Sequence, residues 1–386
     1  MDVEKPKALL RPLVVTRKTM MGPGPSNCSP RVLHALSQPV IGHFHKETFE
    51  IMDEIKAGLQ YVFQTNNEVT LAVSATGHGG MEAAMCNLVE PGDKVLVAVN
   101  GIWGRRAMDI AFRYGGAVEG VEVPPGRNFK IPELEEAIRR CRPAVFFIAQ
   151  GESSTGVYQP VDGLGEICRK YGCLLVVDTV ASLGGVQVFT DRWLIDCVYS
   201  GSQKVLGAPP GLAPISFNRR SLDKILSRKT PVSVFYFDVT LLGQYWNCFP
   251  GKPRIYHHTI SATMLYGLRE GLAEIVEEGI GHCIERHRTA SEALHAGLKE
   301  LGLDFFVPEP EARLPTVTTV LVKNMDWKKI IDYCLNRCHV EVSGGLGPTV
   351  GKVLRIGVMG RNADEKTVHF TLKTLKNALE TCSSKL

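Results

Sequence analysis

The chain has 386 residues, 44% of them hydrophobic and 22% charged, with a mean hydropathy of zero and a formal net charge of +4. That composition suits a globular chain with a main domain and a smaller one, and excludes the fibrous, low-complexity and disordered classes. The small net charge and the lack of any dense Lys/Arg run interleaved with aromatics argue against nucleic acid, and no apolar run reaches the roughly 18 to 20 residues of a membrane-spanning helix.

In chain order, residues 1–45 lack the apolar core of a secretory signal, and the first forty, with "MGPGPSNCSP" at 21–30, are too rich in Gly and Pro for a helix. This segment is expected to lie extended across another surface. From 46 to 260, apolar runs ("VTLAVS", "KVLVAV", "AVFFIAQ", "CLLVVDTVAS", "CVYSGSQ", "LAPISF") alternate with amphipathic stretches such as "PELEEAIRRCR" and "DGLGEICRKYG". Strands that read as continuous apolar runs predict an α/β domain, its sheet mainly parallel with helices on both faces. Residues 261–302 predict one long connecting helix. Residues 303–386, with "TVTTVLV", "IIDYCLNR", "VEVSGG" and "VLRIGVMG", predict a small α+β domain. The chain ends in Ser384-Lys385-Leu386, the receptor-read address for peroxisomes.

Eleven scattered cysteines, mostly in apolar stretches, read as reduced buried thiols. Cys334 and Cys338 have helical i,i+4 spacing beside His339, yet no second ligand pair follows, so no metal is expected there.

Three features carry chemistry. In "TLAVSATGHGGMEAAMCNLVEPGD" a strand ending near Ser74 leads through a Gly-containing turn into a helix expected from about Gly80, an arrangement that offers backbone N–H groups and a helix dipole to a phosphate. It matches neither a Walker A sequence nor GxGxxG. Asp178 ends an apolar strand, where a carboxylate needs a cation or hydrogen bonds; a strand-end turn would also supply them. Lys204 lies one further helix and strand along, in the Gly/Pro-rich turn "SGSQKVLGAPPG". A solvated surface lysine is the ordinary alternative. Together these are the parts for pyridoxal 5'-phosphate at the carboxyl edge of an open sheet: a phosphate turn, a partner for the pyridinium nitrogen and an amine for the aldehyde. Trp103, opening a helix after "KVLVAVN", either caps the core or lies against the cofactor ring.

The motifs "MGPGPSN", "GHGGMEAAMCNLVEPGD", "NGIWGRRA", "QGESSTGVYQP", "VVDTVASLGG", "SGSQKVLGAPPG", "YHHT", "RLPTVTT" and "GGLGPTVGKVLRIG" resemble, in order and spacing over nearly the whole chain, the alanine:glyoxylate and serine:pyruvate aminotransferases. This is a class V, fold-type I group of pyridoxal-phosphate enzymes. The resemblance implies a mainly parallel, seven-stranded-type sheet with a small C-terminal domain, and roles for particular residues. Lys204 would bond the cofactor aldehyde, Asp178 would face the ring nitrogen, and Trp103 would stack on the ring. Thr76, Gly77 and His78 would hold the phosphate end, with Gln203 beside the lysine and Ser153 near the ring hydroxyl. Tyr256 and Thr259 of "YHHT" would reach the phosphate of a neighbouring subunit, which implies a homodimer with shared sites. Arg355 would grip the substrate carboxylate, making small amino acids and 2-oxo acids the substrates. Adjacent His257 and His258 are expected to point apart on a strand, so no metal is expected there either.

Gly42 and His43 fall where the resemblance puts the lining of the substrate pocket. Glycine at 42 matches the alanine:glyoxylate branch, whereas the related 3-hydroxykynurenine transaminases carry Ser-Asn there. The expected reaction is alanine plus glyoxylate to pyruvate plus glycine, with serine as a weaker donor and import into peroxisomes by the receptor for Ser-Lys-Leu. The alternatives are a 3-hydroxykynurenine transaminase and a non-catalytic protein of the same fold.

Overall fold

The computed structural model describes residues 3–323 and 325–383. The Ser384-Lys385-Leu386 tripeptide lies outside the described residues. Seven strands form the main sheet, in the order Val69–Val73, Ala213–Phe217, Cys197–Tyr199, Leu174–Asp178, Val145–Ala149, Lys94–Val99 and Ala117–Glu122. Only Ala213–Phe217 runs antiparallel to its neighbours. Six of the seven strands, the edge strand Val69–Val73 among them, are buried along nearly their whole length, as continuous apolar runs require when helices cover both faces. Ala117–Glu122 was not among the apolar runs because its faces are only partly covered: it is half-buried or exposed along its length, whereas the other edge strand, Val69–Val73, is buried throughout.

The parallel strands all end at one edge. Ser74, Asn100, Gln150 and Asp178 therefore come together there, where open α/β sheets bind ligands.

Residues 261–302 form two helices, Ala262–Glu278 and Ile280–Glu300, instead of the single helix expected. The break falls at Gly279, whose φ of 84° suits a residue without a Cβ. It has a packing reason. Leu265, Leu268, Leu272 and Ile275 join the core of the large domain, whereas Ala290, Leu294 and Leu298 join that of the small one. A straight helix would not turn its apolar face from one core to the other.

The small domain has an antiparallel sheet in the order Val317–Leu321, Val353–Gly357, Ser343–Gly344, covered by helices Trp327–Cys338 and Glu365–Ser383. Two features of the first 45 residues depart from expectation. Thr19–Met20 pairs in parallel with Val340–Glu341 of the same chain, and Pro30–Leu36 is an α-helix. Pro30 stands at the first helical position, where its missing N–H costs nothing, and Ser29 Oγ accepts from Val32 N at 3.1 Å. The proline count argued against a helix, but position decides. No helix among the described residues is long and apolar enough to cross a membrane.

Candidate active site

An open cavity of about 480 Å³ lies at the carboxyl edge of the main sheet, lined by Thr76, Gly77, His78, Trp103, Ser153, Asp178, Val180, Gln203 and Lys204 among others.

The helix Gly77–Leu88 begins three residues earlier than expected, so the Gly-His-Gly turn is its first turn. Thr76 is the N-cap, yet its side chain makes no capping bond, which leaves the first N–H groups and the positive dipole end available to an anion. Gly77 is a tight spot: a Cβ there would meet Val180 Cγ2 at 2.9 Å.

Asp178 is 4% exposed. Its Oδ1 accepts from Val180 N at 2.8 Å and its Oδ2 from the Tyr199 hydroxyl at 2.6 Å. Burial nevertheless pushes its carboxyl up to about 6. With the native pKa raised above the unfolded one, the stability this group contributes is fully present below about pH 4 and is lost as pH rises through about 6. Asp178→Asn keeps the shape, because the Tyr199 hydroxyl can accept from the new amide. In cofactor-free protein this variant should gain on the wild type as pH rises from 4 to 7, by up to about 3 kcal/mol. Thermal melts across that range check it; a difference that does not vary with pH would locate the effect elsewhere.

Lys204 sits in a turn closed by Gly207 N to Lys204 O (3.1 Å) and Ala208 N to Ser202 O (3.0 Å). Ser26 Oγ also donates to Lys204 O, at 2.6 Å, so the N-terminal Gly-Pro segment is tied to the turn. The Lys204 ammonium donates to the Pro23 carbonyl. Gly24, with a φ of 105°, lies against the lysine stem where a Cβ would collide with it. Burial first, then the Arg355 charge, lowers the Lys204 pKa to about 8.

Trp103 Nε1 donates to Ser153 Oγ at 2.8 Å, and His78 meets the indole edge-on at 5.2 Å. The loop after strand Val145–Ala149 caps the tryptophan's helix. Glu152 Oε2 accepts from Trp103 N at 3.0 Å, Oε1 accepts from Ser154 N at 2.9 Å, and Ser154 Oγ accepts from Ile102 N at 3.2 Å. The Glu152 carboxyl is fully buried and pushed up by that burial to about 7.

The same loop receives the small domain. Arg355, 8% exposed, donates from Nε to Gly344 O at 2.7 Å and from Nη1 to Ser153 O at 3.3 Å. Among the described residues no carboxylate lies within ion-pair distance of it; Glu152 and Glu341 act on it from further away. A buried guanidinium without a paired anion is costly unless an anion binds.

Tyr199, Glu152 and Pro23 were not singled out from the sequence. Tyr199 reads as one apolar residue of a strand, Glu152 as a loop acid, and Pro23 acts through its carbonyl, which no side-chain pattern reveals. Five expected site residues, Gly42, His43, Tyr256, Thr259 and Arg355, do not line this chain's cavity; Arg355 meets its wall through the Ser153 carbonyl. His43 and Tyr256 pack together with ring centroids 5.2 Å apart, and the Tyr256 hydroxyl lies 3.3 Å from Thr259 Oγ1. The two histidines between them do not point apart on a strand. Residues 253–261 are irregular backbone, and the His257 and His258 rings face each other with Nδ1 atoms 2.9 Å apart. No group of three or more metal-ligating side chains occurs among the described residues.

Residues 27–369 match the family model "Aminotransferase class-V". The chain is 54% identical over 388 residues to an alanine–glyoxylate aminotransferase of Drosophila melanogaster, covering 100% of this chain and 98% of the relative. It is 36% identical to a (S)-ureidoglycine–glyoxylate transaminase of Bacillus subtilis, covering 96% and 92%. The crystal structure of an alanine–glyoxylate aminotransferase from Nostoc superposes with a TM-score of 0.95 at 43% identity, covering 98% of this chain and 100% of that one.

Proposed function

The chain belongs to the class-V aminotransferase family, and on that premise we propose that it transfers the amino group of L-alanine to glyoxylate, giving pyruvate and glycine, with L-serine a second donor. Pyridoxal 5'-phosphate, the cofactor of this family, supplies when bound an aldehyde for the amine and a conjugated ring that accepts the electron pair left on the substrate carbon.

The residues present fit it. The Gln203 side-chain oxygen is buried without a partner at the cavity wall, and the first turn of helix Gly77–Leu88 is uncapped. Thr76, Gly77 and His78 would hold the phosphate end, Gln203 would stand beside the lysine with its oxygen free to accept from a cofactor donor, and Trp103 would hold a ring face, its indole fixed by Ser153. Asp178 would hold a ring N–H⁺, which restores its carboxylate at neutral pH. Lys204 Nζ would take the proton from the substrate Cα and deliver it to the carbon that was the cofactor's aldehyde, so that the C–H bond formed there balances the one broken at Cα. Arg355 binds the α-carboxylate of either substrate through its free N–H groups.

The observation that carries the reading is Arg355: buried, lacking a paired carboxylate, and bonded to the backbone of Ser153 at the wall of the cavity that holds Lys204. The choice of alanine and glyoxylate follows the names of the relatives.

We also propose a homodimer. Tyr256 is 57% exposed, and Leu9, Leu10, Leu13, Val14 and Val15 stand exposed on the N-terminal segment. A second copy would cover them and receive Tyr256 and Thr259, with Gly42 and His43 beside them. The Ser384-Lys385-Leu386 tripeptide supports delivery to peroxisomes through its receptor.

A spectral titration of the purified holoenzyme tests the reaction. Its visible cofactor band should fall on adding L-alanine and return with glyoxylate. A band that alanine leaves unchanged, or turnover of 3-hydroxykynurenine equal to or faster than that of alanine, would replace this substrate assignment.

A further inference from the structure

A line of hydrogen bonds runs from the residue before the phosphate turn through His258 and His257 to the Phe235 carbonyl. Ser74, which ends the strand Val69–Val73 two residues before Thr76, has its Oγ 2.6 Å from His258 Nε2. His258 Nδ1 lies 2.9 Å from His257 Nδ1, and His257 Nε2 lies 3.1 Å from the Phe235 carbonyl.

The acceptor at the far end sets every proton in the neutral chain. A carbonyl only accepts, so His257 carries its proton on Nε2 and accepts at Nδ1. His258 must then donate from Nδ1 and accept at Nε2. Ser74 is left as the donor to His258. Both rings are more than nine-tenths buried, so water does not readily replace a lost link. Phe235 stacks on His257 at 5.0 Å, and Tyr236 and Tyr245 pack on His258 at 5.0 and 5.8 Å. Tyr256 and Thr259 flank this histidine pair directly in sequence, so the rings fix the short segment that presents them.

We propose that Ser74 and His258 are positioning residues that couple one subunit's phosphate turn to the Tyr256 and Thr259 side chains it presents to a second copy of this chain, making cofactor binding at the two sites interdependent. The proposal rests on the dimer reading above. A phosphate that orders the turn after Ser74 in one subunit thereby orders the donor to His258, and with it the residues reaching the other subunit's site.

Mixed dimers purified through two different tags test this. One subunit carries Lys204→Ala, so that only the other shows visible absorption dependent on Lys204. Ser74→Ala is placed in the Lys204→Ala subunit, leaving every residue of the reporting chain unchanged. Titration of the cofactor-free dimer with pyridoxal phosphate should then show about tenfold weaker binding at the reporting site. Ser74→Thr, which keeps the donor, should restore it. If Ser74→Ala weakens binding only when it sits in the reporting subunit, the serine serves its own turn alone and the coupling is overturned. Tyr256→Phe with Thr259→Ala in the silent subunit separates the two readings. If that pair leaves the reporting site unchanged, the shared-site dimer itself falls.

Discussion

In Lys204→Ala, transamination of alanine with glyoxylate falls by about three to four orders of magnitude, while the protein still folds and retains pyridoxal phosphate by its other contacts. The size follows from the task as a base proposed for the lysine. An ordinary lysine, with a pKa of 10.5, is almost wholly protonated at neutral pH; lowering that value to about 8 raises the neutral fraction about 300-fold at pH 7. The cause is local: burial removes the ammonium from water, and the Arg355 charge opposes it further. The rate of the proton-transfer step should therefore rise with pH through about 8. Lys204→Arg should be as inactive as the alanine variant, since a guanidinium stays protonated in that range. A small primary amine added to Lys204→Ala should recover part of the rate. Single-turnover absorbance measurements with L-alanine check all three; substantial activity in Lys204→Arg would remove the lysine from the proton-transfer step.

Arg355→Lys should lower kcat/KM by about 100-fold to 1000-fold for both L-alanine and glyoxylate. Two of the arginine's N–H groups are committed to the Gly344 and Ser153 carbonyls, which aim the remaining fork. A lysine offers a point charge with no such orientation, and it would leave a buried carbonyl without its donor. Because both substrates carry the same carboxylate, both half-reactions should weaken by a similar factor, mostly in KM. Steady-state kinetics with each substrate varied in turn would show it. A loss confined to one half-reaction would mean that Arg355 does not hold the group the two substrates share.

The strands of the large domain were legible because a parallel sheet covered on both faces needs continuous apolar runs, and runs such as "LLVVD" have few other uses. The strand Ala117–Glu122 was missed for the same reason: its faces are only partly covered, so nothing demands apolarity, whereas the other edge strand, Val69–Val73, is buried and reads as an apolar run. Lys204 and Asp178 stood out as charges placed in apolar or tightly turned segments, where a charge must be explained. Tyr199 and Glu152 did not, because a tyrosine in a strand and a glutamate in a loop are ordinary until their partners are known. The single helix expected over 261–302 failed at Gly279. Helical periodicity continues across the break, and only the positions of two separate cores show why the axis must change.

By itself, then, the sequence determined the α/β class, the cofactor chemistry and the residues that meet at the sheet edge, since each of these depends on residue type and on order along the chain. Tertiary structure decided what depends on which surfaces meet. It buried Arg355 without a paired carboxylate among the described residues, joined Lys204 to the N-terminal Gly-Pro segment, and turned His257 toward His258. It also set Gly42, His43, Tyr256 and Thr259 apart from the cavity of their own chain. The Lys204 contact joins residues 181 apart and the Arg355 contact residues 202 apart, and spacing along a chain carries no record of such a meeting.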